Sequence, residues 1–218
     1  MSNTRTLIVD IQGLWHAGSG RTSGSHVDLT VEKDRFGLPF SGGKHLAGLI
    51  RDAIDRAECW GWYQREDNNG GTPLESLLFG TRTDADDENR FATEPGVLMV
   101  SDARLPSEEH AYLAQQAPGV DAEIASKVIA MREGLYRSLF STAIDHRTGT
   151  AKTNSLRGVE VTIPLRLEAE LTCDHPDAEL LFAYVKKALP LIDHIGGMRN
   201  RGLGRAELYF ADDKERVV

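Results

Sequence analysis

The segment Gly196-Gly-Met-Arg-Asn-Arg-Gly-Leu-Gly-Arg205 packs four glycines and three arginines into ten residues. Glycines let a chain turn its amides toward an anion, and arginines supply charge and flat guanidinium forks. A phosphate chain suits such a loop, and single-stranded RNA is one such chain. The plainer alternative is a helix end running into a solvated turn, with Gly196 or Gly197 past the last helical residue. Spacing alone does not choose between the two.

Other residues carry chemistry only through their placement. Lys44, His45 and Arg51 lie at the start and along one side of an expected helix, whose N-terminus could receive a phosphate. His45 could equally be a solvated surface residue. Trp60, Trp62 and Tyr63 could stack on bases, but their position after an apolar helix favours core packing. Arg147 and Thr148 could touch RNA or merely form a turn with Gly149. Cys59 and Cys173 have no metal or redox spacing, so a reduced, cytoplasmic setting is expected. Cys173-Asp-His175 is better explained as a strand end running into a helix start.

The net charge of -8 argues against a protein that coats nucleic acid indiscriminately. From Lys186 to Arg205, however, five basic residues (Lys186, Lys187, Arg199, Arg201, Arg205) face the single acid Asp193, a local balance of +4. The stretch Thr83 to Glu94 is acidic and reads as a solvated loop. No N-terminal signal or membrane-length apolar run is visible, so no membrane partner is expected.

These residues need elements to position them. Leu7, Val9 and Ile11 alternate in a first strand, followed by an aperiodic Gly/Ser/Thr stretch from Gly18 to Ser25. Leu46, Leu49, Ile50, Ala53, Ile54 and Ala57 recur at helical spacing, predicting a helix over about Gly43 to Cys59. Val97 to Val100 reads as a short strand. Ser107 to Leu139 reads as one or two helices broken at Pro118-Gly119. Val159 to Leu171 alternates as one long strand, with Pro164 marking an edge position or bulge. A helix starts at His175-Pro-Asp-Ala-Glu179, and Pro190 kinks or divides it. Ala206, Leu208 and Phe210 form a last strand, and the tail Asp212 to Arg216 frays. The order is an α+β, ferredoxin-like βαββαβ pattern, a fold that hosts many functions.

Three segments resemble the RAMP superfamily of CRISPR proteins, above all the repeated backbone subunit of type III effector complexes. Val27 to Arg51 is similar to the family's Asp-containing loop, its Leu-Pro turn and its Gly-rich entry to the first helix. Val100-Ser-Asp-Ala-Arg-Leu105 and Ala143-Ile-Asp-His-Arg-Thr-Gly-Thr-Ala151 resemble its Asp-Ala strand end and its Asp-x-x-Thr-Gly-x-Ala segment. Gly196 to Arg205 resembles its Gly-rich loop. The chain departs from the family at Phe40 to Gly48, where the usual paired serines are missing and the lysine is displaced to Lys44.

The resemblance implies a single domain over 1–218, its ferredoxin-like palm at about 5–12, 43–60, 96–105 and 158–210. It also implies a first-strand insertion at 13–42 and a thumb-like insertion at 106–158, with Ala143 to Ala151 near the thumb's base. It implies a subunit that binds guide RNA in a filament of like copies beside other effector subunits, and that cleaves complementary single-stranded target RNA. In that scheme RNA contacts fall on Lys44, His45, Arg51, Arg147, Thr148, Gly196, Gly197, Arg199, Arg201, Gly202, Gly204 and Arg205. Asp28 is the implied catalytic residue, holding Mg2+ or Mn2+ or orienting the nucleophile. Three other readings stay open: a silent structural subunit, a guide-processing endoribonuclease using His16, His26 or His45, and an interaction or regulatory module that binds a small molecule or a protein.

Overall fold

A computed structural model of the protein describes residues 3–20, 28–63, 71–81, 93–115 and 122–214. The readings placed on His26, on most of Thr83 to Glu94, on Pro118-Gly119 and on the end of the tail lie outside these residues.

Strand β1 (Thr4–Ile11) sits inside a four-stranded antiparallel sheet of order β2-β5-β1-β6, with β2 Leu98–Val100, β5 Leu165–Cys173 and β6 Ala206–Phe210. That is the ferredoxin-like order. The register aligns the apolar positions: Val9 lies opposite Leu167 on one side and Leu208 on the other. Helix α1 (Gly43–Cys59) covers this face with Leu46, Ile50, Ala53, Ile54 and Ala57, and its bounds follow the expected periodicity. A short α2 (Leu74–Phe79), which no periodicity announced, packs beside it. Helices α3 (Ser107–Leu113) and α4 (Ala122–Gly134) follow β2. Helix α5 (Ala178–Ala188) adds Leu181, Phe182 and Val185 to the core. It gives way to a 3-10 turn, Leu189–Leu191, where Pro190 divides it as expected. Each fully buried Leu or Ile in this layer contributes roughly 1.5–3 kcal/mol.

The opposite face of the sheet carries the acids Asp10, Glu168, Glu170 and Glu207 with Arg166, beside Tyr209 and the buried Ile8, and Asp10 pairs across to both Arg166 and Glu207. In RNA-recognition modules of this fold, sheet-face aromatics stack bases. Here Tyr209 stands among acids that oppose a phosphate.

Two sequence readings are corrected in the middle of the chain. Tyr136–Ser141 is strand β3, not the end of a helix. The expected long strand is two strands: β4 (Arg157–Thr162) pairs with β3 in a separate two-stranded sheet, and β5 belongs to the main sheet. Pro164 stands at the break because a residue without an amide hydrogen cannot carry the ladder through. The alternation of Val159 to Leu171 is real, but it serves two surfaces. Ala143 to Ala151 connects β3 to β4, at the free end of this hairpin and not at its base.

Candidate nucleic-acid interface

The glycine-arginine loop closes on itself. Ile195 donates to the carbonyl of Gly204 at 2.8 Å, and Gly204 donates to the carbonyl of Leu14 at 2.8 Å. Gly197 donates to the carbonyl of His16 at 2.7 Å, Gly202 to Arg199 at 3.1 Å, and Gly196 to Nε2 of His45 at 2.9 Å. The four glycine amides are therefore all used internally, which corrects the expectation that they face an anion. Their lack of a Cβ matters instead. A Cβ at Gly204, where φ is +81°, would lie 1.9 Å from the carbonyl oxygen of Ile195. One at Gly196 would lie 2.5 Å from that of His16.

This packing presents the arginines. Arg199 and Arg201 share one 3-10 turn, entered through Met198 in the left-handed region at φ 58°. Arg199, Arg201 and Arg205 are exposed and make no ion pair among the described residues. The nearby acid, Asp193, is engaged by His194 at 3.0 Å, which holds its carboxyl below the usual range.

The start of α1 is already capped. Asp102 Oδ1 accepts from the Gly43 amide at 2.9 Å, and its Oδ2 accepts from Arg104 at 2.9 Å. A carboxylate thus sits where the sequence had placed a phosphate. Lys44 and His45 flank this point and border, with Gly196 and Gly197, a groove of about 730 Å³. Partial burial against the loop and the charge of Arg199 hold the His45 imidazole below its ordinary pKa. Neutral His45 can accept from Gly196, so its role is to brace the loop.

Arg51 is engaged elsewhere. Its guanidinium pairs with the buried carboxylate of Glu75 in α2 and donates to the carbonyl of Gly80 at 2.9 Å. Trp60 also departs from expectation: it is 58% exposed, whereas Trp62 and Tyr63 pack against the core. Arg147 and Thr148 are exposed on the β3-β4 connection, in a turn where Asp145 Oδ1 accepts from the Arg147 amide at 2.8 Å.

Asp28 lies on the other side of β4. Its amide donates to the carbonyl of Gly158 at 2.9 Å, and its Oδ2 accepts from the Gly158 amide at 3.0 Å. The carboxylate is exposed, and Oδ1 has no partner among the described residues. The next residues continue along β4: Leu29 bridges to Val159, and Glu160 takes the Val31 amide at 3.1 Å and Lys33 Nζ at 2.8 Å. Among the described residues, no group of three or more His, Cys, Asp or Glu could hold a metal ion. Among the described residues, Asp28 is therefore not part of such a group.

Asp34 is the hub of this loop, and sequence reasoning missed it. Its carboxylate accepts from the amides of Phe36 at 2.8 Å and Leu38 at 2.9 Å and pairs with His110 of α3 at 2.8 Å. Burial pushes the Asp34 carboxyl up, but the Leu38 amide, His110 and the Phe36 amide outweigh it and leave it below the usual range. Tyr136 of β3 donates to the carbonyl of Gly37 at 2.7 Å. The spacing Asp34-x-x-Gly37, with Gly37 at φ +79°, is the signal that could have found this turn. His16 is buried at 5% exposure, with Nδ1 2.8 Å from the carbonyl of Glu160. That placement shields it from any substrate, against its use as an acid or base.

The described helices include none long and apolar enough to cross a membrane. A search of the curated proteins finds no match by sequence. In fold the chain is similar to one in a cryo-EM structure of type III-B Cmr-beta bound to cognate target RNA, with a TM-score of 0.66 and 14% identity over 96% of this chain and 98% of that one. It is equally similar to a chain of type III-B Cmr-beta in the apo state, with a TM-score of 0.66, 15% identity and the same coverage. Residues 11–207 match the sequence model of the RAMP superfamily, and the chain belongs to that superfamily.

Proposed function

We propose that this chain is an RNA-binding backbone subunit of a type III-like CRISPR effector complex. The observation that carries the reading is the trio Arg199, Arg201 and Arg205, exposed on a glycine-locked loop in a protein of net charge -8. Such a loop offers a phosphate strand three clustered cations, while Asp10, Glu168, Glu170 and Glu207 on the sheet face disfavour it there. Lys44 borders a groove with Gly196 and Gly197 of the loop, and Arg147 is exposed on the hairpin connection. Repeated copies would follow the guide head to tail, and heterologous contacts of that kind propagate as an open filament. Mass photometry with a guide-length single-stranded RNA tests it. Species at multiples of the 24.0 kDa protomer are expected; a persistent monomer at saturating RNA contradicts the reading.

The clamp between Asp28 and Gly158 supports a second function, cleavage of the complementary target. A carboxylate fixed at both backbone and side chain can orient a 2'-hydroxyl for in-line attack on the adjacent 3'-phosphate, which closes a 2',3'-cyclic phosphate as the 5'-oxygen of the next nucleotide leaves with a proton. Asp28→Asn should stop cutting of a labelled complementary RNA while leaving its binding within about twofold, since the lost interaction acts on rate. Cutting that survives the substitution moves the role elsewhere. No cutting by the native assembly leaves the chain a structural subunit.

A further inference from the structure

The strap 14–19 reaches three separate parts of the molecule. Leu14 takes the Gly204 amide of the arginine loop at 2.8 Å. Trp15 exchanges two backbone hydrogen bonds with Thr162 of β4, at 3.0 and 2.8 Å. Ala17 takes the Glu32 amide at 2.6 Å, and Ser19 donates to Thr30 at 3.1 Å, both in the loop that carries Asp28.

His16 stands at the centre of this strap and serves two of the parts at once. Its carbonyl accepts from Gly197 at 2.7 Å, and the glycine at 196 lets the loop lie backbone against backbone there. Its ring meets the carbonyl of Glu160 at 2.8 Å. A carbonyl only accepts, so Nδ1 carries the hydrogen and the ring donates. Glu160 in turn holds Val31 and Lys33, and it lies two residues from Gly158, which holds Asp28. One residue thus joins the arginine loop to the strand on which the aspartate rides.

We propose that His16 is a positioning residue that fixes the offset between the arginine loop and the Asp28 carboxylate, so that a strand gripped at the loop sets the order of the Asp28 segment. The inference rests on the loop binding RNA, but not on cleavage. A buried histidine that merely fills space would bind the loop and β4 equally well and transmit nothing between them.

Hydrogen exchange of the full chain, with and without a defined single-stranded RNA, separates these cases. In the native protein RNA should slow exchange across 196–205 and, roughly tenfold, across 28–33. His16→Asn places an amide N–H near the position of Nδ1 and should keep both effects. His16→Gln carries its amide one methylene further and should keep the loop effect while losing the one at 28–33. Loop protection without any change at 28–33 in the native protein overturns the inference, as does identical behaviour of the Asn and Gln variants. Absence of RNA-dependent protection at 196–205 instead overturns the RNA-binding reading on which it rests.

Discussion

The amide of Gly196 donates to Nε2 of His45 across 2.9 Å, tying the arginine loop to the start of α1. The bond exists only while Nε2 is unprotonated. Burial and Arg199 place the folded-state value below the ordinary 6.5, so the unfolded chain takes up the proton first as pH falls. Stability from this contact is therefore complete above pH 6.5 and is lost as pH falls through the folded-state value. His45→Gln supplies an acceptor that does not titrate in this range. Thermal melts from pH 8 to pH 5 should show a shallower decline in the variant than in the native protein, and parallel curves would remove His45 from this role.

Gly204 and Gly202 separate two reasons for glycine. Both have positive φ, but a Cβ at Gly204 meets the Ile195 carbonyl at 1.9 Å while one at Gly202 meets nothing within 4 Å. Gly202→Ala should cost about 1 kcal/mol from backbone strain alone. Gly204→Ala adds a backbone clash and should cost about 3 kcal/mol. Urea denaturation of the two variants measures the gap; equal costs would mean that the close approach is not needed.

Arg51 and Arg199 should behave oppositely. Arg51→Ala removes the Arg51 guanidinium from the buried Glu75 carboxylate and should cost about 3 kcal/mol of stability, with RNA affinity unchanged in whatever fraction stays folded. Arg199→Ala should leave the melting temperature within about a degree or two, because an exposed arginine without an ion pair among the described residues adds little, and should weaken RNA binding. A stable Arg51→Ala protein with weakened RNA binding would return Arg51 to the interface.

The core was legible because burial imposes periodicity. The stripe Leu46 to Ala57 and the alternation Ala206 to Phe210 follow directly from one apolar face on each element. The hairpin was not legible, because β3 is exposed along nearly its whole length and carries no pattern a core would impose. Pro164 was visible, but whether it marked a bulge or a change of sheet depended on Tyr136 to Ser141, a partner distant in sequence. In the candidate site, the arginines could be read from their type. The use of three of the glycine amides could not, because their acceptors His16, Leu14 and His45 lie far off in sequence; Gly202 alone bonds locally, to Arg199. Asp102 capping Gly43 escaped for the same reason.

The salt dependence of RNA affinity tests the central claim most directly. Each phosphate neutralised on a single strand contributes about 0.7 to the slope of log K against log salt. Fluorescence anisotropy with a labelled single-stranded RNA should give a slope for the native chain that drops in magnitude by about 2 when Arg199, Arg201 and Arg205 are all replaced by alanine, with weaker binding across unrelated sequences. An unchanged slope and affinity in the triple variant would show that RNA, if it binds, does so elsewhere on the molecule.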